Sequence, residues 1–316
     1  MIVTVTLNAA LDRTLTVPHF QRDHRHRASQ VLTLAGGKGI NVSRALVAQG
    51  HATRAVLPAG GSDGALLVRL LDEQAVPSRA VRVAGETRSN ITLVESTGVT
   101  TKVNAPGPVL GALDVAALLD AVELEIAAGA RLVVGAGSLP VGAGDDFFVR
   151  LARLAGRHDV PCALDTSGAP LVTAVAAGGL DVVKPNDEEL GELVGRDLVV
   201  VGEVVEAARS VVACGTRQVL VSLGSHGALL VDATGVWWAG GQPLVPASTV
   251  GAGDATLAGF LASVGREPAE RLAVAVAWGR AAVLLPGTAV PDPADVRVGE
   301  VRVVSEPDRD LALKDL

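Results

Sequence analysis

The sequence predicts an α/β fold: a body of βαβ units carrying a small antiparallel β-lid. Three observations predict it. Short runs rich in Val, Ile, Thr and Leu recur along the chain and end near Gly, Asn, Asp or Pro. Alanine-rich stretches with helical periodicity follow most of them, the alternation expected of a mainly parallel sheet with crossover helices. Two segments, about 13–33 and 87–106, break this rhythm. There β-branched and polar residues alternate without an intervening helix (Thr14-Leu15-Thr16-Val17; Asn90-Ile91-Thr92-Leu93-Val94), so they read as strands set apart from the body.

In chain order, strands are expected over 2–7, 31–35, 54–58, 131–135, 160–165, 180–184 and 218–223, the last paired as a hairpin with 228–232. Helices are expected over 40–49, 63–74, 114–128, 145–156, 187–194, 203–213, 254–264 and 268–284. No Ser/Gly-rich linker and no internal repeat divides the chain, so 1–316 reads as one domain with its lid. Of 316 residues, 49% are hydrophobic and 19% charged, against about 25% charged in a typical globular protein; this composition builds a core and excludes extended disorder. Four Phe, three Trp, no Tyr and a net charge of −7 supply neither stacking rings nor a basic track for nucleic acid. Cys162 and Cys214 form no CxxC, so they read as small hydrophobes in a reducing compartment. No basic leader with a cleavage site opens the chain, and Arg or Asp interrupts every apolar stretch before about 18 residues. The expectation is a cytoplasmic protein without membrane contact.

Four motifs could carry chemistry. Gly251-Ala252-Gly253-Asp254 opens a helix that is apolar on every side for two turns. Backbone N–H groups at such a helix start make an anion hole. The helix should be buried, where a carboxylate is costly unless it has a task or a partner; for Asp254 both readings stay open. The tetrad occurs twice. Gly142-Ala143-Gly144-Asp145 opens an amphipathic helix, and there Asp145 reads as an N-cap. In Lys184-Pro185-Asn186-Asp187-Glu188-Glu189, Asn186 and Glu189 share one face of a first helical turn. They could organise a hydrated Mg²⁺, but a capping box is the simpler reading of the residues alone. Gly36-Gly37-Lys38-Gly39-Ile40-Asn41 could cradle an anionic group or be a tight turn with an exposed lysine; it lacks the Ser/Thr and spacing of a Walker A loop. Ser222-Leu223-Gly224-Ser225-His226-Gly227 reads either as a ligand-facing turn or as an ordinary hairpin. His24-Arg25-His26-Arg27 reads as a solvated basic loop, and without GxGxxG a nicotinamide dehydrogenase is disfavoured.

In this order the motifs resemble the ribokinase-like sugar kinases and, within them, the phosphofructokinase-B group. The resemblance is carried by Thr6-Leu7-Asn8-Ala9-Ala10-Leu11-Asp12, Gly36 to Val42, Thr87-Arg88-Ser89-Asn90, Asn104-Ala105-Pro106-Gly107-Pro108 and Gly137-Ser138-Leu139-Pro140. It continues through Asp165-Thr166-Ser167-Gly168, Lys184 to Leu190, Ser222-Leu223-Gly224 and Ser248 to Asp254, and within the group it is similar to the 1-phosphofructokinases. The resemblance implies a mainly parallel sheet with helices on both faces, and a β-lid through which a homodimer forms. It implies an ATP- and Mg²⁺-dependent kinase acting on a ketohexose phosphate, taking fructose 1-phosphate to fructose 1,6-bisphosphate. Tagatose 6-phosphate or fructose 6-phosphate are the alternative substrates, and a non-catalytic sugar-phosphate sensor is the alternative of another class. By resemblance Asp254 is the general base, and Gly251, Ala252 and Gly253 stabilise the transferring phosphoryl group. Asp12, Gly37, Lys38, Asn41, Arg88 and Ser138 hold the sugar phosphate, with Lys38 and Arg88 together on its phosphate. Lys184, Asn186, Ser222, Gly224 and Gly227 lie on the nucleotide side, and Asn186 with Glu189 holds Mg²⁺ through water. Three departures stand out: Ala9 replaces a frequent Pro, Lys102 takes a lid position often acidic, and 279–288 matches loosely, leaving the adenine pocket unassigned.

Overall fold

Val133 and Val134 are neighbours in sequence and both fully buried, yet they belong to different hydrophobic cores. Only a strand covered by helices on both faces produces that pattern. In a computed structural model, which describes residues 1–316, the elements run in the order β1 (Ile2–Val5), β2 (Ala10–Val17), β3 (Gln30–Gly36), α1 (Lys38–Ala48), β4 (Thr53–Ala59), α2 (Gly61–Glu73), β5 (Ser78–Arg82), β6 (Arg88–Glu95), β7 (Thr100–Asn104) and α3 (Ala112–Ala127). They continue with β8 (Leu132–Ala136), α4 (Phe147–Gly156), β9 (Cys162–Asp165), α5 (Gly168–Ala177), β10 (Val182–Val183), α6 (Asp187–Val194), α7 (Val201–Ala213), β11 (Gln218–Ser222), β12 (Ala228–Asp232), β13 (Val236–Gly240), α8 (Ala252–Ala262), α9 (Pro268–Val283) and β14 (Arg302–Ser305).

Ten strands form the main sheet in the order β14-β13-β12-β11-β10-β9-β8-β1-β4-β5. Pairing is parallel from β5 to β11 and antiparallel from β11 to β14. One face packs on α3, α4, α5, α6 and α7, the other on α1, α8 and α9, while Leu67 and Leu71 of α2 join α1 and β4 in a third, smaller cluster. Each fully buried Leu or Phe contributes about 1.5–3 kcal/mol, so these layers hold the strand ends that carry the site in fixed register.

The second sheet is the lid, in the order β3-β2-β6-β7. Its two outer pairings are antiparallel and its central pairing, β2 with β6, is parallel. The reason lies in connectivity: β2 comes after β1 and β6 after β5, so both leave the same edge of the body, and β3 and β7 return to it. The expected strand at 31–35 therefore belongs to the lid. One carboxylate ties the lid to the body, since Asp63 in the first turn of α2 accepts from Arg13 of β2 (2.9 Å) and from Ser89 of β6 (2.8 Å).

Four elements escape the sequence pattern. β5 is a half-exposed edge strand with two arginines, α5 carries Pro170 and β-branched residues in a short helix, and β13 and β14 lie at the antiparallel end of the sheet, outside the βαβ rhythm. The expected cap at Asp145 is corrected: α4 begins at Phe147, the N-cap position is Asp146, and no side chain caps the helix. Gly142 (φ 88°) and Gly144 (φ 79°) coil the chain through two tight turns before the helix starts. A Cβ on Gly142 would lie 2.1 Å from the Leu110 carbonyl oxygen, so that coil is glycine-dependent.

Candidate active site

Ligands of open α/β sheets bind beyond the carboxyl ends of parallel strands, and here the ends of β8, β9 and β10 meet the first turns of α1, α6 and α8. Asp165 ends β9. Its carboxylate is 1% exposed and lies between two ammonium groups, 2.7 Å from Lys38 Nζ and 3.0 Å from Lys184 Nζ. Burial raises its pKa, but Lys184 and Lys38 outweigh burial and hold it below the ordinary carboxylate range. Lys38 is held above its usual range: burial works against its charge, and Asp165, Glu189 and Asp254 overcome it.

Asp254 is the third residue of α8, in its first turn. Gly251 occupies the N-cap with φ 83°, a left-handed conformation open to glycine, and so turns the chain to expose the helix start. The N–H of Ala252 makes only a 3.4 Å contact with Thr249 O, and those of Gly251 and Gly253 have no backbone acceptor; these are the orphan donors of a helix N-terminus. Lys184 Nζ lies against this turn, 3.4 Å from where a Gly253 Cβ would stand. Asp254 itself is 7% exposed, and its Oδ2 accepts from Asn41 Nδ2 at 2.8 Å. Burial, with the charge of Asp165 adding to it, pushes the Asp254 carboxyl up to about 7, against the opposing pull of Asn41, Lys38 and Lys184. A buried carboxylate with a pKa near neutrality, beside a row of unpaired N–H groups and two lysines, can accept a proton while an adjacent anion is stabilised.

The lid supplies the other wall. Asp12 Oδ1 accepts from Asn90 Nδ2 at 2.9 Å, and its carboxylate packs where a side chain on Gly36 would stand, 2.1 Å from that Cβ position. Burial raises the Asp12 pKa, opposed by Asn90, Arg88, Arg44 and Lys102. Ser138 accepts from Asn8 Nδ2 at 3.1 Å. Gly37, with φ 127°, brings the α1 start against Thr6. Arg88 donates to Ala105 O at 3.4 Å, whereas Lys38 pairs with Asp165 and, at 3.9 Å, with Glu189. The two cations expected on one phosphate therefore share no partner: Lys38 stands with Lys184, and the cations around Asp12 are Arg88, Arg44 and Lys102.

At α6 the capping box is realised. Asn186 Oδ1 accepts from Glu189 N–H (2.6 Å) and Glu189 Oε2 from Asn186 N–H (2.9 Å). The other oxygen, Oε1, stays turned toward Lys38. No cluster of three or more His, Cys, Asp or Glu forms a metal cage. This donor set suits a magnesium ion, which keeps waters and takes one or two carboxylates together with substrate phosphates. Nearby, Asn186 bridges to Ser222. Gly224 opens a 3-10 turn closing the β11–β12 hairpin, and Gly227 must be glycine because a Cβ would lie 2.0 Å from the Ala239 carbonyl oxygen. Asp165, Asn90 and Asn8 stand in the matching motifs but had no role assigned to them, and Arg44 lies outside every motif. A signal existed for Asp165: only four of the 27 basic residues are lysines, and two of these four converge on it.

The model of the pfkB family carbohydrate kinases matches residues 4–295. The chain belongs to that family. Among relatives of this pfkB kinase, the 1-phosphofructokinase of Rhodobacter capsulatus is 38% identical over 92% of this chain and 93% of its own length. The ATP-dependent 6-phosphofructokinase isozyme 2 of Escherichia coli (strain K12) is 36% identical over 91% of this chain and 94% of that protein. The structure of phosphofructokinase-2 from Escherichia coli in complex with fructose-6-phosphate superposes with a TM-score of 0.87 at 33% identity, covering 93% of this chain and 96% of that one. Ribokinase from Thermotoga maritima, 22% identical over 93% of this chain and 97% of that one with a TM-score of 0.75, shares the fold. No helix of this kinase is long and apolar enough to cross a membrane.

Proposed function

We propose that this pfkB kinase transfers the terminal phosphoryl group of ATP to a hydroxyl of fructose 1-phosphate, giving fructose 1,6-bisphosphate. The observation that carries this reading is Asp254: a buried carboxylate with a pKa near 7 in the same helix start as the N–H groups of Gly251 and Gly253, which have no backbone acceptor. In it, Asp254 accepts the proton of the attacking hydroxyl, and the N–H groups of Gly251, Ala252 and Gly253 receive the oxygens of the group in flight. Lys184 and Lys38, held by Asp165, keep positive charge at the phosphate chain, and Ser222, Gly224 and Gly227 line the nucleotide side. Magnesium, when bound, neutralises phosphate charge; Asn186 and Glu189 would hold it through water. Asp12, Asn41 and Ser138 orient the sugar, and Arg88 receives its existing phosphate, a group that a chain of net charge −7 otherwise repels. The names of the relatives in Rhodobacter and Escherichia coli favour fructose 1-phosphate and fructose 6-phosphate respectively, and tagatose 6-phosphate offers the same chemistry.

The exposed apolar residues of the lid, Val31, Leu32, Val99 and Val103, support a homodimer through that sheet. A related enzyme, phosphofructokinase-2 from Escherichia coli, has a tetrameric inhibited form. The deciding experiment is ADP release coupled to a reporter, run over fructose 1-phosphate, fructose 6-phosphate, tagatose 6-phosphate and free fructose. Highest kcat/KM on fructose 1-phosphate is expected. Arg88→Ala should raise KM for the sugar phosphate far more than for ATP, by about 2–3 kcal/mol if the pair is desolvated. Equal turnover of free fructose would end the phosphosugar reading.

A further inference from the structure

Arg44 lies three residues beyond Asn41 on α1, so both side chains share one helix face. It is only 8% exposed, yet no carboxylate comes within ion-pair distance. Its Nη1 instead reaches Asn41 Oδ1 at 3.4 Å and Thr288 Oγ1 at 3.3 Å. Asp12 attracts it from farther away, and burial lowers its pKa against that attraction. An arginine taken out of water without a paired anion destabilises the fold, and here its reach is toward the amide that touches Asp254.

The chemistry of the three groups fixes that amide. A guanidinium can only donate, an ionised carboxylate can only accept, and a carboxamide has one end of each kind. Asn41 satisfies both neighbours in one orientation alone: Oδ1 to Arg44 and Nδ2 to Asp254. Without Arg44 the opposite orientation, carbonyl toward a protonated Asp254, loses its penalty.

We infer that Arg44 is a positioning residue for phosphoryl transfer, holding the Asn41 carboxamide so that its N–H is aimed at the Asp254 carboxylate. The inference rests on Asp254 being the base. Three other charged groups act on Asp254: Asp165 from the end of β9, Lys38 from α1 and Lys184 from the end of β10. None of them contacts Arg44, whose own charged neighbour is Asp12 of β2. The contact with Thr288 anchors the guanidinium to the segment after α9.

The test is a double-mutant cycle read by pH profile. Arg44→Met keeps the aliphatic stem and removes the donor. At pH 7 it should lower kcat about 2- to 5-fold, leave KM for ATP within about 2-fold, and move the acid limb of the kcat profile upward by about 0.5–1 in pH. Much of the rate should therefore return at pH 9. Arg44→Lys should recover part of the loss. In an Asn41→Ala background, Arg44→Met should add almost nothing, because both changes remove one interaction. Should Arg44→Met melt below the assay temperature, Thr288→Val, which removes only the anchor, is expected to shift the acid limb the same way by a smaller amount. Full additivity with Asn41→Ala, or an unmoved acid limb with a raised KM for the sugar phosphate, overturns the inference and places Arg44 on the substrate instead. Asp254→Asn run alongside separates the two layers: if it retains turnover the base assignment falls, whereas an inactive Asp254→Asn beside an unshifted Arg44→Met removes only the role of Arg44.

Discussion

The tetrad Gly-Ala-Gly-Asp stands at 142–145 and again at 251–254, and the two copies share nothing but letters. In the first, both glycines take positive φ, the chain coils through tight turns, and Asp145 is left exposed ahead of a helix it does not cap. In the second, only Gly251 takes positive φ, the helix starts at the next residue, and Asp254 is buried at the head of a run, Ala255 to Leu261, in which every residue is buried. The difference teaches that a short motif acquires its chemistry from the helix it opens. Arg150, Arg153 and Arg157 keep one side of α4 in water, while α8 has no polar face to offer and carries its carboxylate inward.

Asp254→Asn is the sharpest way to break the comparison: kcat should fall by about 10²–10⁴, with ATP affinity nearly unchanged by isothermal titration. Near wild-type turnover would make the two copies equivalent after all. The pH profile comes next. A base with its pKa at about 7 must be ionised to act, so kcat should rise with pH through neutrality, and a flat profile between pH 5.5 and 8.5 would contradict it. Stability should run the other way. Because the folded pKa lies above the unfolded value of 3.8, the native state binds more protons between those values, and the contribution of Asp254 to stability falls as pH rises from about 4 to 7. Thermal melts of Asp254→Asn should therefore lie above wild type at pH 8, by at most about 4 kcal/mol, and converge near pH 4.

A third helix start sharpens the contrast at smaller scale. Glu189 occupies the same third position of α6 that Asp254 occupies in α8, but it bonds back to its cap residue. Glu189→Gln keeps a capping side chain, so the Mg²⁺ concentration for half-maximal rate should rise several-fold while Tm moves by less than about 1 kcal/mol equivalent. An unchanged magnesium requirement would leave α6 a capped helix and nothing more. The smallest effect belongs to Asp145→Asn, which removes no cap and should leave both kcat and Tm within error.

The same contrast explains which parts of the molecule were legible in the sequence. α8 and its carboxylate were legible because unbroken apolar composition implies burial, and the body because period and punctuation recur. α5 was not, since Pro170 and its valines argue locally against a helix that packing imposes. Asp165 was hidden because its role is relational: nothing in Asp-Thr-Ser-Gly says that lysines 127 and 19 residues away in sequence will close on it. Arg44 was hidden for the same reason, as one more arginine on an amphipathic helix until Asn41 and Thr288 are seen beside it.

The carboxylate of Asp63 has a mechanical consequence. It grips Arg13 and Ser89, one from each of the two strands that run side by side out of the body. Both strands are thus tied to one point at the start of α2, in addition to the parallel ladder that joins them to each other. The tie falls on the two central strands of the lid, and the outer strands β3 and β7 make no hydrogen bond to Asp63, so this support from the body is concentrated along the middle of that sheet.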